Sequence, residues 1–336
     1  MTTKDEVKAL WKLCFTDSDE FTDLYFKMRY KDEINRVVRE DGKIVSALQT
    51  IPYPMTFCGG VIPTSYISGA CTHPDYREHG AMRRLLKETH RRMYEEGILL
   101  ASLIPAEEWL FGYYAKSGYT PAFGYAVEQV RRDGLHPSAG CRVEVCESPG
   151  AEHYHYFDSR MRGRRSCILH SHEDFLVVMA DLNLGNGKLL IAREADEMVG
   201  MAFTVMDGGT LYIKELLADT DAVRDALLYD AAYIYKVQAM ECLVPSSGHP
   251  LFLGMARVIC AEKMLRLFAR RYPALELYLF VEGDEVIPEN NGYYTVKDGI
   301  CLRERMYGKE YQSCTLDRVA RLLLEAEQPY MSLMLN

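Results

Sequence analysis

The run YISGACTHPDYREHGAMRRLLKETHRRMYEEG, residues 66–97, changes hydrophobic period midway, and that change limits what the chain can fold into. Up to Thr72 the pattern is that of a strand, and His73-Pro74-Asp75 turns the chain. From Gly80, residues Met82, Leu85, Leu86, Thr89 and Met93 share one face of a helix over 80–96, opposite a charged face carrying Arg83, Arg84, Lys87, Arg91 and Arg92. A helix that opens at a glycine directly after a strand offers free backbone N–H groups and the positive end of its dipole, a fitting cradle for a diphosphate. The N–H groups of Glu78, His79, Gly80, Ala81 and Met82 are the candidates, with Arg77, Arg83 and Arg84 adding charge. Taken alone, this pattern serves a plain surface helix with a solvated face equally well.

Around that stretch the chain reads as a mixed α/β protein. Two helices with a capped turn at 16–20 lead into strands at 34–40 and 43–50, joined by Asp41-Gly42, then strands at 52–58 and 61–72. After the charged helix comes a buried strand at 98–103, a short helix over 109–116 ending at Gly118, and a strand at 123–130. Gly and Pro punctuate 131–150, with one short strand at 141–146. A second unit repeats strands at 187–193, 198–205 and 210–215 and a helix at 219–236, after a helix at 152–160. Beyond Pro250, strands at 255–260, 276–282 and 292–297 alternate with helices at 261–270 and 315–324. The end, PYMSLMLN, is apolar almost throughout, which demands burial where a terminus is usually frayed and polar.

Composition excludes several classes. With 39 Lys and Arg against 48 Asp and Glu, the net charge is -9, which argues against nucleic-acid backbone binding as the main task. No apolar run is long enough to span a bilayer, and the start lacks a signal-peptide pattern. The 10 cysteines are dispersed, as expected of free thiols in a reducing compartment, so a cytoplasmic location is expected.

Residues 66–97 resemble the acyl-coenzyme A signature of the GCN5-related N-acetyltransferase superfamily (GNAT), in which Arg/Gln-x-x-Gly-x-Gly/Ala follows a splayed strand and opens a long helix. Here it reads Arg77-x-x-Gly80-x-Met82, bulkier at its last position. The likeness extends to Ser68-Gly69, Thr72-x-Pro74 and Tyr114-x-x-x-Gly118-Tyr119, where Ser117 stands in place of the usual Phe. The bulkier residue is similar to the branch of the mycobacterial enhanced intracellular survival (Eis) acetyltransferases. That branch implies a GNAT domain over 1–145, a degenerate GNAT-like domain over 146–250, and a C-terminal domain resembling sterol carrier protein 2 (SCP2) over 251–336. The last is matched weakly and as a fold only.

The resemblance implies acetyl-CoA as cosubstrate and direct transfer to a primary amine, on a small cationic molecule or a lysine side chain. Ala70, Cys71 and Thr72 would pair with the pantetheine amides, and a backbone N–H near Cys71 or Thr72 would polarise the thioester. Tyr114 matches the family's general acid, and the terminal carboxylate of Asn336 would help take the amine proton. Glu107 and Glu108 are rivals for that second role. Homo-oligomers are the family habit.

Weaker constellations compete. His153, His155, His170 and His172 come in alternating pairs without carboxylate or thiol support at ligand spacing, so no metal site is expected. Arg160, Arg162, Arg164 and Arg165 read as a solvated face or a subunit contact. The rival functional readings are a non-catalytic acyl-CoA sensor or scaffold, and a lipid carrier built on 251–336.

Overall fold

The computed structural model describes residues 2–136, 140–246, 248 and 250–335. Two helices, α1 (Thr3–Cys14) and α2 (Asp19–Met28), open the chain, each started by a hydroxyl cap, Thr2 and Ser18. Strands β1 (Asn35–Glu40), β2 (Lys43–Pro52), β3 (Met55–Phe57), β4 (Gly60–Ile62) and β5 (Thr64–Thr72) follow. Helix α3 (Ala81–Glu95) connects to β6 (Leu100–Leu103), and α4 (Trp109–Ala115) to the long β7 (Thr120–Arg131).

The second unit comprises β8 (Cys141–Cys146), α5 (Ala151–Arg162), β9 (Cys167–Ile168), α6 (His172–Leu184), β10 (Lys188–Glu194), β11 (Glu197–Asp207) and β12 (Thr210–Ala218). It closes with α7 (Asp221–Tyr235) and β13 (Ala239–Pro245). Last come β14 (Leu251–Val258), α8 (Ala261–Arg271), β15 (Leu277–Val281), β16 (Gly292–Lys297), β17 (Ile300–Leu302), β18 (Gln312–Cys314) and α9 (Leu316–Glu327).

One eleven-stranded sheet, in the order β1-β2-β5-β6-β14-β7-β13-β12-β11-β10-β8, runs through both units. In the first, β1, β2 and β5 form an antiparallel meander, α3 crosses over, and β6 returns parallel to β5. In the second, β10, β11 and β12 form the meander, α7 crosses over, and β13 returns parallel to β12. The recurring strand order expected from the sequence is therefore a repeated topology.

Packing explains which residues face where. A register shift between β1 and β2, with Val45 as the extra residue between Ile44 and Ser46, breaks the strict alternation, and Val45 joins Leu48 in a cluster with Leu85, Leu86 and Met93 of α3. Ala47 and Cys71 join Val7, Leu10 and Trp11 of α1 and Tyr25 of α2 on the opposite face. The first sheet half is thus covered by α3 on one side and by α1 and α2 on the other.

Three features differ from the sequence expectation. The apolar run in α6 is a helix, buried at Phe175, Val177, Val178, Met179 and Leu182, and it starts with a Ser171–Asp174 capping box. Strand β13 is also additional. The strand after Pro250 begins at Leu251, and it pairs with β6 and β7 in the main sheet, not with the four-stranded sheet β17-β16-β15-β18 that follows it. Hydrogen bonding on both edges of β14 overrides its place in the chain.

The apolar tail is buried, as its composition demands: Tyr330, Met331, Met334 and Leu335 are all under 9 % exposed. Backbone bonds tie it down, Tyr330 N donating to Ser166 O at 3.0 Å and Ile168 N to Tyr330 O at 3.1 Å. Asn336 lies outside the described residues.

Candidate active site

The site begins where two strands part. β5 pairs with β6 only at Thr64↔Leu100, Ser65↔Ala101 and Tyr66↔Ser102. Its other edge stays paired with β2 as far as Cys71 and Thr72. One extra residue enters β5 between Ser68, opposite Gln49, and Cys71, opposite Ala47, and this bulge bends the strand away. From Ile67 on, one edge of β5 has no strand partner, and a wedge opens towards α4.

That wedge leads into a cavity of about 480 Å³ lined by Ser68, Gly69 and Ala70 of β5 and by Leu103 to Ala106 after β6. Tyr114 of α4 and Leu335 of the tail also line it. The expected residues Ala70, Cys71 and Thr72 therefore sit on the free-edged stretch, with Ala70 at the cavity wall and the Cys71 side chain buried under α1. The Thr72 hydroxyl is paired with Ser46, and its carbonyl accepts from Arg77 Nε at 3.2 Å and Cys14 Sγ at 3.3 Å.

Cys14 had no sequence signal. Its hydrogen bond with Cys71, helped by Arg77, brings its thiol down to about 7, while the same contact and burial push Cys71 up.

Beyond the end of β5, Gly80 caps α3 in the left-handed region (φ +80°), a conformation that L side chains adopt only with strain. No side chain caps this helix. Its first intrahelical bond from beyond the cap is Arg84 N to Gly80 O, so the N–H groups of Ala81, Met82 and Arg83 point out without helical acceptors. Arg77, Glu78, His79 and Gly80 are exposed and Met82 is half-buried, packed towards Leu85. The five candidates over 78–82 thus surround one uncapped helix end.

Tyr114 is 8 % exposed, wedged between Tyr113 and Tyr119 with ring centroids 5.3 and 5.9 Å away. Burial, and then the neighbouring Tyr113, push its phenol well above the ordinary value, so it keeps its proton at neutral pH. Its helix is held from outside the motif. Arg257 of β14, itself 4 % exposed, donates from Nη1 to the Ser117 carbonyl at 2.7 Å, just past the end of α4. A side chain at Gly118 would collide with that guanidinium, which explains the glycine of the tyrosine motif. Asp284 clamps the other side of Arg257 at 2.9 and 3.0 Å. Neither Arg257 nor Asp284 carries a local sequence signal.

The other candidates do different work. Glu107 accepts from Trp109 Nε1 at 2.7 Å on the exposed side of the loop. His153 accepts from Gly150 N at 2.9 Å, and His170 is buried against Tyr53 and Phe157. The basic knot is an ion-pairing device: Arg160 meets Asp219, Arg162 meets Asp158, Arg164 meets Glu215, and Arg165 meets Glu327. Glu215 is buried and Arg164 is largely covered with it, so the solvated-face reading does not hold for Arg164, whereas Arg160, Arg162 and Arg165 are exposed.

Comparison with known proteins bears on the same region. Residues 2–122 match the family described as acetyltransferase (GNAT) domain. A curated relative, an uncharacterized N-acetyltransferase of Streptomyces avermitilis, is 27% identical over 99 residues, which is 29% of this chain and 23% of that protein. This chain therefore matches only about a quarter of its curated relative's length.

Solved structures align over nearly all of the chain at low identity. A probable N-acyltransferase of unknown function from Enterococcus faecalis V583 gives a TM-score of 0.78 at 17% identity, covering 96% of this chain and 87% of its own. A GCN5-related N-acetyltransferase from Anabaena variabilis gives 0.75 at 18% identity, covering 97% and 96%. Eis1 from Mycobacterium abscessus gives 0.74 at 12%, covering 96% and 88%. These likenesses show the fold, and the family match, over residues 2–122, falls on the elements that build the wedge and the uncapped helix.

Proposed function

We propose that the protein is an acetyl-CoA-dependent N-acetyltransferase that passes an acetyl group directly to a primary amine. The observation that carries this reading is the presence of three features within residues 64–114: a strand edge without a partner, a helix N-terminus without a cap, and a buried phenol on the wall of the cavity beside that edge. Each matches a part of an acyl-coenzyme A. Free N–H groups of 81–83 with Arg77 and Arg83 bind the diphosphate, and the edge of β5 pairs with the pantetheine amides.

The chemistry follows from those placements. The neutral amine attacks the thioester carbonyl, the carbon–nitrogen bond forms, and the carbon–sulfur bond breaks. A backbone N–H near Cys71 or Thr72 steadies the developing oxyanion. Tyr114 gives its proton to the leaving sulfur, and the attacking nitrogen loses one to a base or to water. Leu335 lines the same cavity as Tyr114, which supports the tail, ending at Asn336, as the source of that base. The C-terminal sheet, with α8 and α9 packed on it, acts in this reading as an SCP2-like structural brace through Arg257 and Asp284. A reducing, cytoplasmic setting fits the ten free thiols.

Thiol release from acetyl-CoA in the presence of amines tests the proposal. Tyr114→Phe should lower kcat by about 100-fold while leaving coenzyme affinity unchanged, the usual scale for losing a general acid. Because the phenol is raised above its ordinary range, the alkaline limb of the wild-type pH profile should not appear below pH ~10. Coenzyme binding with no amine-dependent release, equal in wild type and variant, would favour the sensor reading instead.

A further inference from the structure

The cavity's chemistry is unequal on its two sides. The uncapped helix end and its arginines belong to the α3 face of the sheet, whereas the cavity wall opposite is built by α1, α2 and the tail. That wall carries the rings of Trp11, Phe15 and Phe21, and Tyr66 of β5, Phe111 of α4 and Phe252 of β14 continue the aromatic lining around the cavity. Among the described residues lining the cavity, one side chain carries a formal charge, Asp17.

Asp17 is held in place. Trp11 Nε1 donates to its Oδ2 at 2.8 Å, and the indole lies directly over Gly69 of β5, with Phe15 and Tyr25 packed on it at 4.8 and 4.5 Å. The carboxylate is therefore one indole ring away from the strand proposed to hold the thioester. The ion pairs among the described residues leave Asp17 without a cationic partner, although Asp19 and Asp23 nearby have Lys12 and Lys8.

An uncompensated carboxylate at the edge of an aromatic wall selects by charge count. One ammonium is met by Asp17 and by the ring faces. With the tail carboxylate assigned to the reacting nitrogen in the reading above, a second or third cation on the same molecule would lie against apolar side chains with no counter-charge of its own, an arrangement that costs free energy. We infer that the acceptor is a monocationic primary amine with an aromatic or branched apolar body, received by Asp17, and not a polycation. This inference rests on the acetyltransferase reading and narrows its substrate.

Two measurements separate the inference from the reading beneath it. In the first, kcat/KM for 2-phenylethylamine is compared with that for spermidine, kanamycin and a lysine peptide. The arylalkylamine should lead by about tenfold or more, the scale of one unpaired charge against an apolar wall. Asp17→Asn should raise KM for 2-phenylethylamine about fivefold with KM for acetyl-CoA unchanged, as befits an exposed ion pair. Acetylation that favours spermidine or kanamycin, or an amine KM indifferent to Asp17→Asn, overturns the inference while leaving the acetyltransferase intact.

The second measurement does not need turnover. The chain has two tryptophans, and Trp109 is 63 % exposed, so Trp109→Phe leaves Trp11 as the fluorescent reporter in the cavity. 2-Phenylethylamine should change its emission saturably, and spermidine should not. The reverse result overturns the proposed acceptor class even if no amine in the panel is acetylated.

Discussion

The two halves of the main sheet share a topology and differ in what fills it. In the first, the helix after the meander starts at Gly80 with no side-chain cap; in the second, it starts at Thr220, whose side chain accepts from Val223 N. Both crossover pairs meet over three residues, Thr64 to Tyr66 with β6 and Leu211 to Ile213 with β13. Past that point the first half opens into the cavity. In the second, Glu215 is buried at the corresponding parting, clamped by Arg164 at 2.7 and 2.8 Å and by Ser332 of the tail at 2.6 Å. Tyr330 lies against Arg164, with the guanidinium 4.7 Å from its ring centre. The strand order alone does not make a site; the unfilled backbone does.

Breaking the plug in the second half should have the largest effect. Arg164→Ala leaves Glu215 charged and uncompensated in a buried position, so urea unfolding should show a loss of about 3–5 kcal/mol. A loss under 1 kcal/mol would mean that the tail and Ser332, not the ion pair, close that wedge. Next in size, giving the first helix a side chain at its cap, Gly80→Val, forces a β-branched residue into the left-handed region beside the proposed diphosphate cradle. Coenzyme Kd by calorimetry should rise about tenfold, equivalent to ~1.4 kcal/mol.

The smallest effect is the reciprocal one. Thr220→Ala removes the cap that the first half lacks, and should cost about 1 kcal/mol in stability with no change in coenzyme Kd. If Thr220→Ala instead altered coenzyme affinity, the second half would be taking part in binding.

Legibility followed sequence distance. Gly80, Arg77 and Tyr114 belong to short motifs whose spacing reflects one turn or one helix; the structure puts Tyr114 on the cavity wall and Gly80 at an uncapped helix end. Arg257 escaped because its partner carbonyl is 140 residues away, and nothing near residue 257 marks a buried cation. Asp17 looked like part of a capped turn until Trp11 was seen to aim it at the cavity. Helix α6 was missed although Ser171-x-x-Asp174 announces its start, because Leu-Val-Val-Met-Ala is apolar on almost every side and gives no amphipathic period. Arg164 reads as solvated beside Arg160, Arg162 and Arg165 because its buried carboxylate partner, Glu215, lies 51 residues away on another element.

The placement of β14 has a consequence in time as well as in space. Its eight residues join β6 to β7, two strands of the first unit, and they leave the ribosome only after the whole second unit has been made. Until residue 258 is synthesised, two facing strand edges stand unpaired in the centre of the nascent sheet, a template for wrong partners. The contacts that close them span well over a hundred residues, so the central step of folding is a slow, long-range one. A fragment cut at the end of the matched family region would carry the motif residues and still lack the strand that holds their sheet together.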